Sequence, residues 1–169
     1  VVGFSESVSG DELRDLCDEK GIHLIEDLGS GSLIDLSKFG LSYERTVKDC
    51  INEGIDLVSF SGDKILGGPQ AGIIVGKKEL ISKIKKNQLL RAFRVDKFTL
   101  GALEETLKFY LDDEKVIANI PTLKMISMPK EEILRKAEKL KSMIEKEVDL
   151  NMEIVESQSE VGGLSLIHI

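Results

Sequence analysis

The chain has no Trp, two His, two Cys and three Pro among its 169 residues, and aromatic residues make up 5% of it. Nowhere does an apolar run approach the roughly 18 residues that a membrane-spanning helix needs, so no such segment is predicted. With only Cys17 and Cys50, far apart and in no CxxC pair, a disulfide scaffold and a zinc-ribbon spacing are both excluded. They read as two reduced core thiols of an intracellular protein. His23 sits between apolar neighbours and reads as a core residue, and His168 lies in the final stretch, so no Ser/His/Asp set or metal-ligand spacing can be assembled. Positive charge is also short. Lys+Arg number 23 against 30 Asp+Glu, a net charge of −7, which argues against a nucleic-acid binder resting on bulk charge.

What is present is an ordinary globular composition, 41% hydrophobic and 31% charged. No basic stretch precedes an apolar one at the start, so no secretory leader is expected. Val1–Phe4 reads as a buried strand, and the far end stops on an apolar run from Gly162 to Ile169, so the sequence reads as a piece of a longer protein. Ser9-Gly10-Asp11-Glu12 opens a helix with a capping residue and first-turn acids, ending near Lys20-Gly21. Strands are predicted over 22–25, 56–60 and 71–75, with helices over 46–53 and from 77 to about 87. This alternation predicts an α/β fold with a mostly parallel sheet covered on both faces. Ligands of such sheets sit beyond the carboxyl ends of the strands. Two polar strand exits, Glu26-Asp27 and Ser61-Gly62-Asp63-Lys64, should share that rim.

Further on, Leu100, Leu103, Leu107, Tyr110 and Leu111 form a helical stripe over 99–111. A long charged helix over 129–148 is predicted to turn Ile133, Ala137, Leu140, Met143 and Ile144 inward, and 151–156 reads as a strand. The last third therefore resembles the start of a second, α+β subdomain.

Lys64 stands out. Lysines usually stay on solvated surfaces, and this one leaves a strand between Gly62 and the Gly67-Gly68 pair. A desolvated amine there can form a Schiff base, although a plain surface lysine after a strand fits the same pattern. Asp27 at a neighbouring strand exit can face a cationic ring nitrogen, or can simply cap a turn. The glycines of Gly29-Ser30-Gly31-Ser32 and Gly67-Gly68 could offer free backbone N–H groups to an anion, or be ordinary turns. Arg91 and Arg94 could clamp an oxyanion from one side, or continue the solvated basic stretch of Lys83, Lys85 and Lys86.

Three segments carry a resemblance. Glu26-Asp27-Leu28-Gly29-Ser30-Gly31-Ser32-Leu33, then Val58 through Lys64 to Gly76, then Arg91-Ala92-Phe93-Arg94-Val95-Asp96-Lys97, are similar to the bacterial selenocysteine synthases, the L-seryl-tRNA(Sec) selenium transferases. Ile120-Pro121-Thr122-Leu123 fits as well, and the resemblance covers residues 1 to about 163. It implies a fold-type-I enzyme dependent on pyridoxal 5'-phosphate. It implies that 1–118 form the later part of the cofactor-binding large domain, and that 119–169 begin the small domain. By the same resemblance Lys64 is the Schiff-base lysine and Asp27 the partner of the pyridine nitrogen. Ser61, Gly67 and Gly68 belong to the cofactor site, and Arg91, Arg94 and Asp63 to the substrate site. The implied reaction turns seryl-tRNA(Sec) into selenocysteinyl-tRNA(Sec) through a dehydroalanyl intermediate, with selenium from selenophosphate, in a cytoplasmic oligomer built from dimers. The tRNA-gripping region of the family lies outside these residues. Glu44-Arg45-Thr46 departs from the family's Glu-Pro-Thr, and Leu164–Ile169 departs from its Ser-Leu-Pro-type segment. Two alternatives stay open. One is a related pyridoxal phosphate lyase or transferase acting on a small amino acid. The other is that the 169 residues in isolation are a non-catalytic module.

Overall fold

The computed structural model describes residues 8–157, together with the backbone of 160–161 and 167–168. The strand predicted over Val1–Phe4 lies outside the described residues. Helix α1 (Gly10–Lys20) starts as its sequence predicts: the Ser9 hydroxyl accepts from the Glu12 N–H, Glu12 reaches back to the Ser9 backbone, and Gly21 closes the helix at φ 64°. Strand β1 (Ile25–Gly29) follows, then a 3-10 turn over Leu36–Phe39, and α2 (Val47–Asn52), whose capping box joins Thr46 and Asp49. Next come β2 (Leu57–Ser61), β3 (Gly72–Gly76), α3 (Lys78–Lys86), the single turn α4 (Leu90–Phe93) and α5 (Lys97–Phe109). Helices α6 (Asp113–Asn119), α7 (Pro121–Ile126) and α8 (Lys130–Glu147) complete the described chain, with β4 (Glu160–Val161) and β5 (Ile167–His168) as a two-residue antiparallel ladder.

The sheet order is β1-β2-β3. The α/β class holds, but the predicted mostly parallel arrangement does not. β1 and β2 are parallel, pairing Asp27 with Ser59, whereas β2 and β3 are antiparallel, pairing Ser59 with Ile74. The link over 62–71 contains no helix, and a parallel return needs a crossover of a dozen residues or more. The first strand also runs later than predicted. Asp27 lies inside β1, because alternate polar residues are tolerated on a strand with one open face.

Nor is the sheet covered on both faces among the described residues. On the covered face Val58 and Phe60 join Val47, Cys50, Ile55 and Leu66, with Leu28, Ile73 and Leu103 packed against them. The other face carries Asp27 and Ile74, both exposed. A second cluster lies to the side: Ile34, Leu36, Ile65, Val116, Ile120 and Leu123. Tyr110 packs against both clusters.

The amino end of β2 is tied down by a buried charge. Asp56 is 1% exposed and takes Arg14 of α1 at 2.9 Å, Lys77 after β3 at 2.5 Å and the Leu24 N–H ahead of β1 at 2.7 Å. The His23 ring lies 3.8 Å away and is 56% exposed, so the predicted core histidine is instead a surface ring drawn towards this carboxylate. Burial would push the Asp56 carboxyl up. Lys77, the Leu24 N–H and Arg14 outweigh it and hold the group well below the usual carboxylate range.

The predicted thiols are free and buried. The predicted strand over 151–156 is irregular, and no strand pairs with it among the described residues. In α8 the expected inward residues Ile133, Leu140 and Met143 are exposed, while Ala137 and Ile144 are half-buried. In α5, Leu103 and Tyr110 pack inward and Leu100, Leu107 and Leu111 are exposed. Helical spacing sets a stripe, but not what covers it.

Replacing Asp56 by Asn should destabilise the chain by about 3 kcal/mol at neutral pH, the lower end for breaking a buried pair, since Lys77 keeps access to water. The folded pKa lies below the unfolded one, so this contribution is complete above the ordinary carboxylate range and lost as pH falls through it. Urea unfolding of both proteins should therefore give a constant difference above about pH 5 that shrinks steadily below about pH 4.

Candidate active site

β1 and β2 run in parallel, so their carboxyl ends lie at one edge of the sheet, but Asp27 stands in the middle of β1 and not at the exit predicted for it. The residues implied for the site divide into two groups.

The first group lies around Lys64, three residues past β2. Its neighbours Ile65 and Leu66 are 4% and 0% exposed, and they enter different apolar clusters. The turn is closed by its own backbone. The Gly67 N–H donates to the Lys64 carbonyl, the Gly68 N–H to the Gly62 carbonyl, and the Gly62 N–H to the Ala71 carbonyl. The two glycine N–H groups are thus spent inside the turn and are not the free anion donors their sequence suggested. Gly67 is required for another reason: its φ is +68°, and a Cβ there would stand 2.4 Å from Cγ2 of Ile120. The Tyr110 hydroxyl donates to the Leu66 carbonyl at 3.0 Å, and burial pushes that phenol's pKa up. Lys64 itself is half-buried, and its amine has no hydrogen-bond or ion-pair partner among the described residues. Asp63 beside it is exposed.

The second group lies on the open sheet face. Asp27, Ser59, Ser61, Gly72 and Ile74 form the floor of a groove whose wall is built by Ile84, Leu89, Leu90 and Phe93 of the α3–α4 stretch. The Asp27 carboxylate accepts from the Ser59 hydroxyl at 2.9 Å and meets no cation among the described residues. Arg91 lies in α4 and Arg94 just past it on extended backbone. Both are exposed, and neither has an acidic partner among the described residues. Lys64 does not line this groove. Asp27 thus lies in mid-strand on the open sheet face, and Lys64 three residues past the carboxyl end of its parallel neighbour β2.

The loop after β1 is partly closed on itself. The Ser30 N–H donates to the Leu28 carbonyl at 2.7 Å, and the Ser32 hydroxyl to the Ile34 carbonyl at 2.8 Å. Arg45, at the position that departs from the expected Pro, pairs with Glu26 at 2.6 Å and with Glu53. Glu26 lies beside Cys50, whose thiol burial pushes up to about 11, with the Glu26 charge adding to it. Sequence reading missed this triad and the Ser59 contact. The alternation Ser59-Phe60-Ser61 was the available signal, since it sends both hydroxyls to the face that carries Asp27.

A lysine past one strand and a carboxylate within its parallel neighbour, neither of them ion-paired among the described residues, stand on an α/β protein. The chain belongs to the L-seryl-tRNA selenium transferase family, whose sequence profile matches residues 1–168. That match takes in Leu164–His168, which the motifs alone had left outside. Curated relatives named L-seryl-tRNA(Sec) selenium transferase agree. The Alkaliphilus oremlandii protein is 55% identical over 167 residues, and that of Clostridium botulinum strain Loch Maree is 51% identical over 167. The Clostridium perfringens strain 13 protein is 55% identical over 170 residues. The aligned part is 98% of this chain and 36% of each relative, so the chain spans about a third of their length. No described helix is long and apolar enough to cross a membrane.

Replacing Tyr110 by Phe should cost about 1–3 kcal/mol in urea unfolding, because the Leu66 carbonyl is left unpaired inside the core. The same change should leave the fold's circular dichroism spectrum as it was, since the ring still fills both clusters.

Proposed function

We propose that this chain is part of a fold-type-I, pyridoxal phosphate-dependent enzyme that converts seryl-tRNA(Sec) to selenocysteinyl-tRNA(Sec), with selenophosphate as the selenium donor. The observation that carries the reading is the unpartnered Lys64 amine on an anchored turn past β2, with an Asp27 carboxylate free of any cation on the parallel neighbour β1, in a chain of this family. The names of the relatives supply the substrate class.

The residues fit such a cofactor. An amine free of any counter-charge is available to bond its aldehyde carbon, and a carboxylate free of any cation is available to its ring nitrogen. Bound there, pyridoxal phosphate supplies an electron sink for charge developing at the substrate Cα. Lys64 would hold the cofactor through its Nζ, and the same amine, when free, would hold the proton exchanged at the substrate Cα. Asp27 keeps its charge towards the ring nitrogen. Ser61 lies on the floor between them, and Gly67 and Gly68 act by shaping the turn that carries Lys64. Arg91 and Arg94 orient the incoming anion, two guanidiniums without internal acids being suited to selenophosphate, and Asp63, beside Lys64, is assigned to the substrate site.

We assign 1–118 to the large cofactor-binding domain and 119–169 to the opening of the small domain; Val116, Ile120 and Leu123 share one cluster, so the two units are continuous here. The groove is open and Asp27 exposed, which supports a site completed by further chain and by a second copy in a cytoplasmic oligomer built from dimers.

The test uses the full-length protein. With pyridoxal phosphate it should develop a visible absorbance band, and borohydride reduction followed by peptide mapping should put the label on Lys64. Lys64→Ala should lose both the band and turnover. A label scattered over surface lysines, with Lys64 unmodified, would sink the assignment.

A further inference from the structure

Asp27 is an exposed side chain on an open sheet face, and such a carboxylate is free to turn about two side-chain torsions. Here it is not left free. The Ser59 hydroxyl donates to Oδ1 at 2.9 Å, the one hydrogen bond Asp27's carboxylate makes among the described residues. The bond follows from strand register. Asp27 pairs with Ser59 across the parallel ladder, and the register shifts just afterwards, so that Gly29 pairs with Phe60. Asp27 is therefore the last residue of β1 held in step with its neighbour. Phe60 is buried on the covered face, so Ser59 is committed to the open one. A serine has a single hydroxyl proton. Spent on Oδ1, it leaves Oδ2 without a partner in the described chain.

We infer that Ser59 is a positioning residue for Asp27: its hydroxyl fixes the carboxylate plane so that the free oxygen meets the cationic ring nitrogen. This rests on the reading of Asp27 proposed above. Ser59 does not touch the reacting atoms; it acts through the carboxylate. The wall residues that could compete for Oδ2 do not. Ile84, Leu89, Leu90 and Phe93 are apolar, and the Asn87 side-chain amide makes no hydrogen bond to Asp27 among the described residues.

The experiment measures pyridoxal phosphate affinity of the full-length protein by titration of its visible absorbance, with melting temperature of the cofactor-free protein as a second readout. Ser59→Ala should weaken binding about five- to tenfold, the scale of one oriented hydrogen bond. Ser59→Thr, which keeps the hydroxyl, should restore affinity, whereas Ser59→Val, which keeps only its shape, should not. In an Asp27→Asn background, Ser59→Ala should add nothing further. Melting temperatures should match the parent throughout. Parental affinity in both Ser59→Ala and Ser59→Val, with Asp27→Asn weakened, would overturn the role of Ser59 and leave that of Asp27 standing. An equal loss from Ser59→Ala in both backgrounds would also overturn it, as would losses that follow melting temperature. Parental affinity in Asp27→Asn would overturn the reading of Asp27 and this inference with it.

Discussion

The buried carboxylate of Asp56 is the tie on which the arrangement depends. It is a charge inside protein, tolerable only because Arg14, Lys77 and the Leu24 N–H surround it. Those partners come from α1, from the segment leaving β3 and from the approach to β1. One residue thus fixes the amino end of the central strand against its neighbours. At the other end of β2, the Lys64 amine carries no structural counter-ion among the described residues.

Lys64 and Asp27 are held by different means. Lys64 sits on a turn that two apolar clusters grip from either side through Ile65 and Leu66, with Tyr110 bonded to the turn's backbone. Asp27 is held by ladder register and one hydroxyl. The first arrangement resists displacement because moving it would open packed apolar contacts. The second is softer, and it faces a groove whose wall, Leu89 to Phe93, is largely exposed.

Much of this was legible in the residues themselves. The caps at Ser9 and Thr46 follow from local chemistry, as do the buried free thiols and the position of Lys64 just past a strand. What was not legible depends on partners distant in sequence. His23 looked like core because its neighbours are apolar, yet its ring is exposed, at the edge of the buried Asp56 site. Asp27 looked like a strand exit because it is polar, yet an open face accepts it in mid-strand. The antiparallel return of β3 was readable from a helix-free link, but strand and helix alternation elsewhere argued for parallel order. The stripes of α5 and α8 announced buried faces, and the described chain covers only part of them.

Gly67 adds a historical consequence. Its backbone lies in the left-handed region with Ile120 pressed against the place where a side chain would begin. A mutation there meets two objections at once, and relief at Ile120 would disturb Val116 and Leu123 in the same cluster. The turn bearing Lys64 is therefore poor ground for gradual change, since its first steps run uphill. Any divergence in what such a protein accepts would have to be written into the exposed wall from Leu89 to Arg94, where single replacements disturb little else.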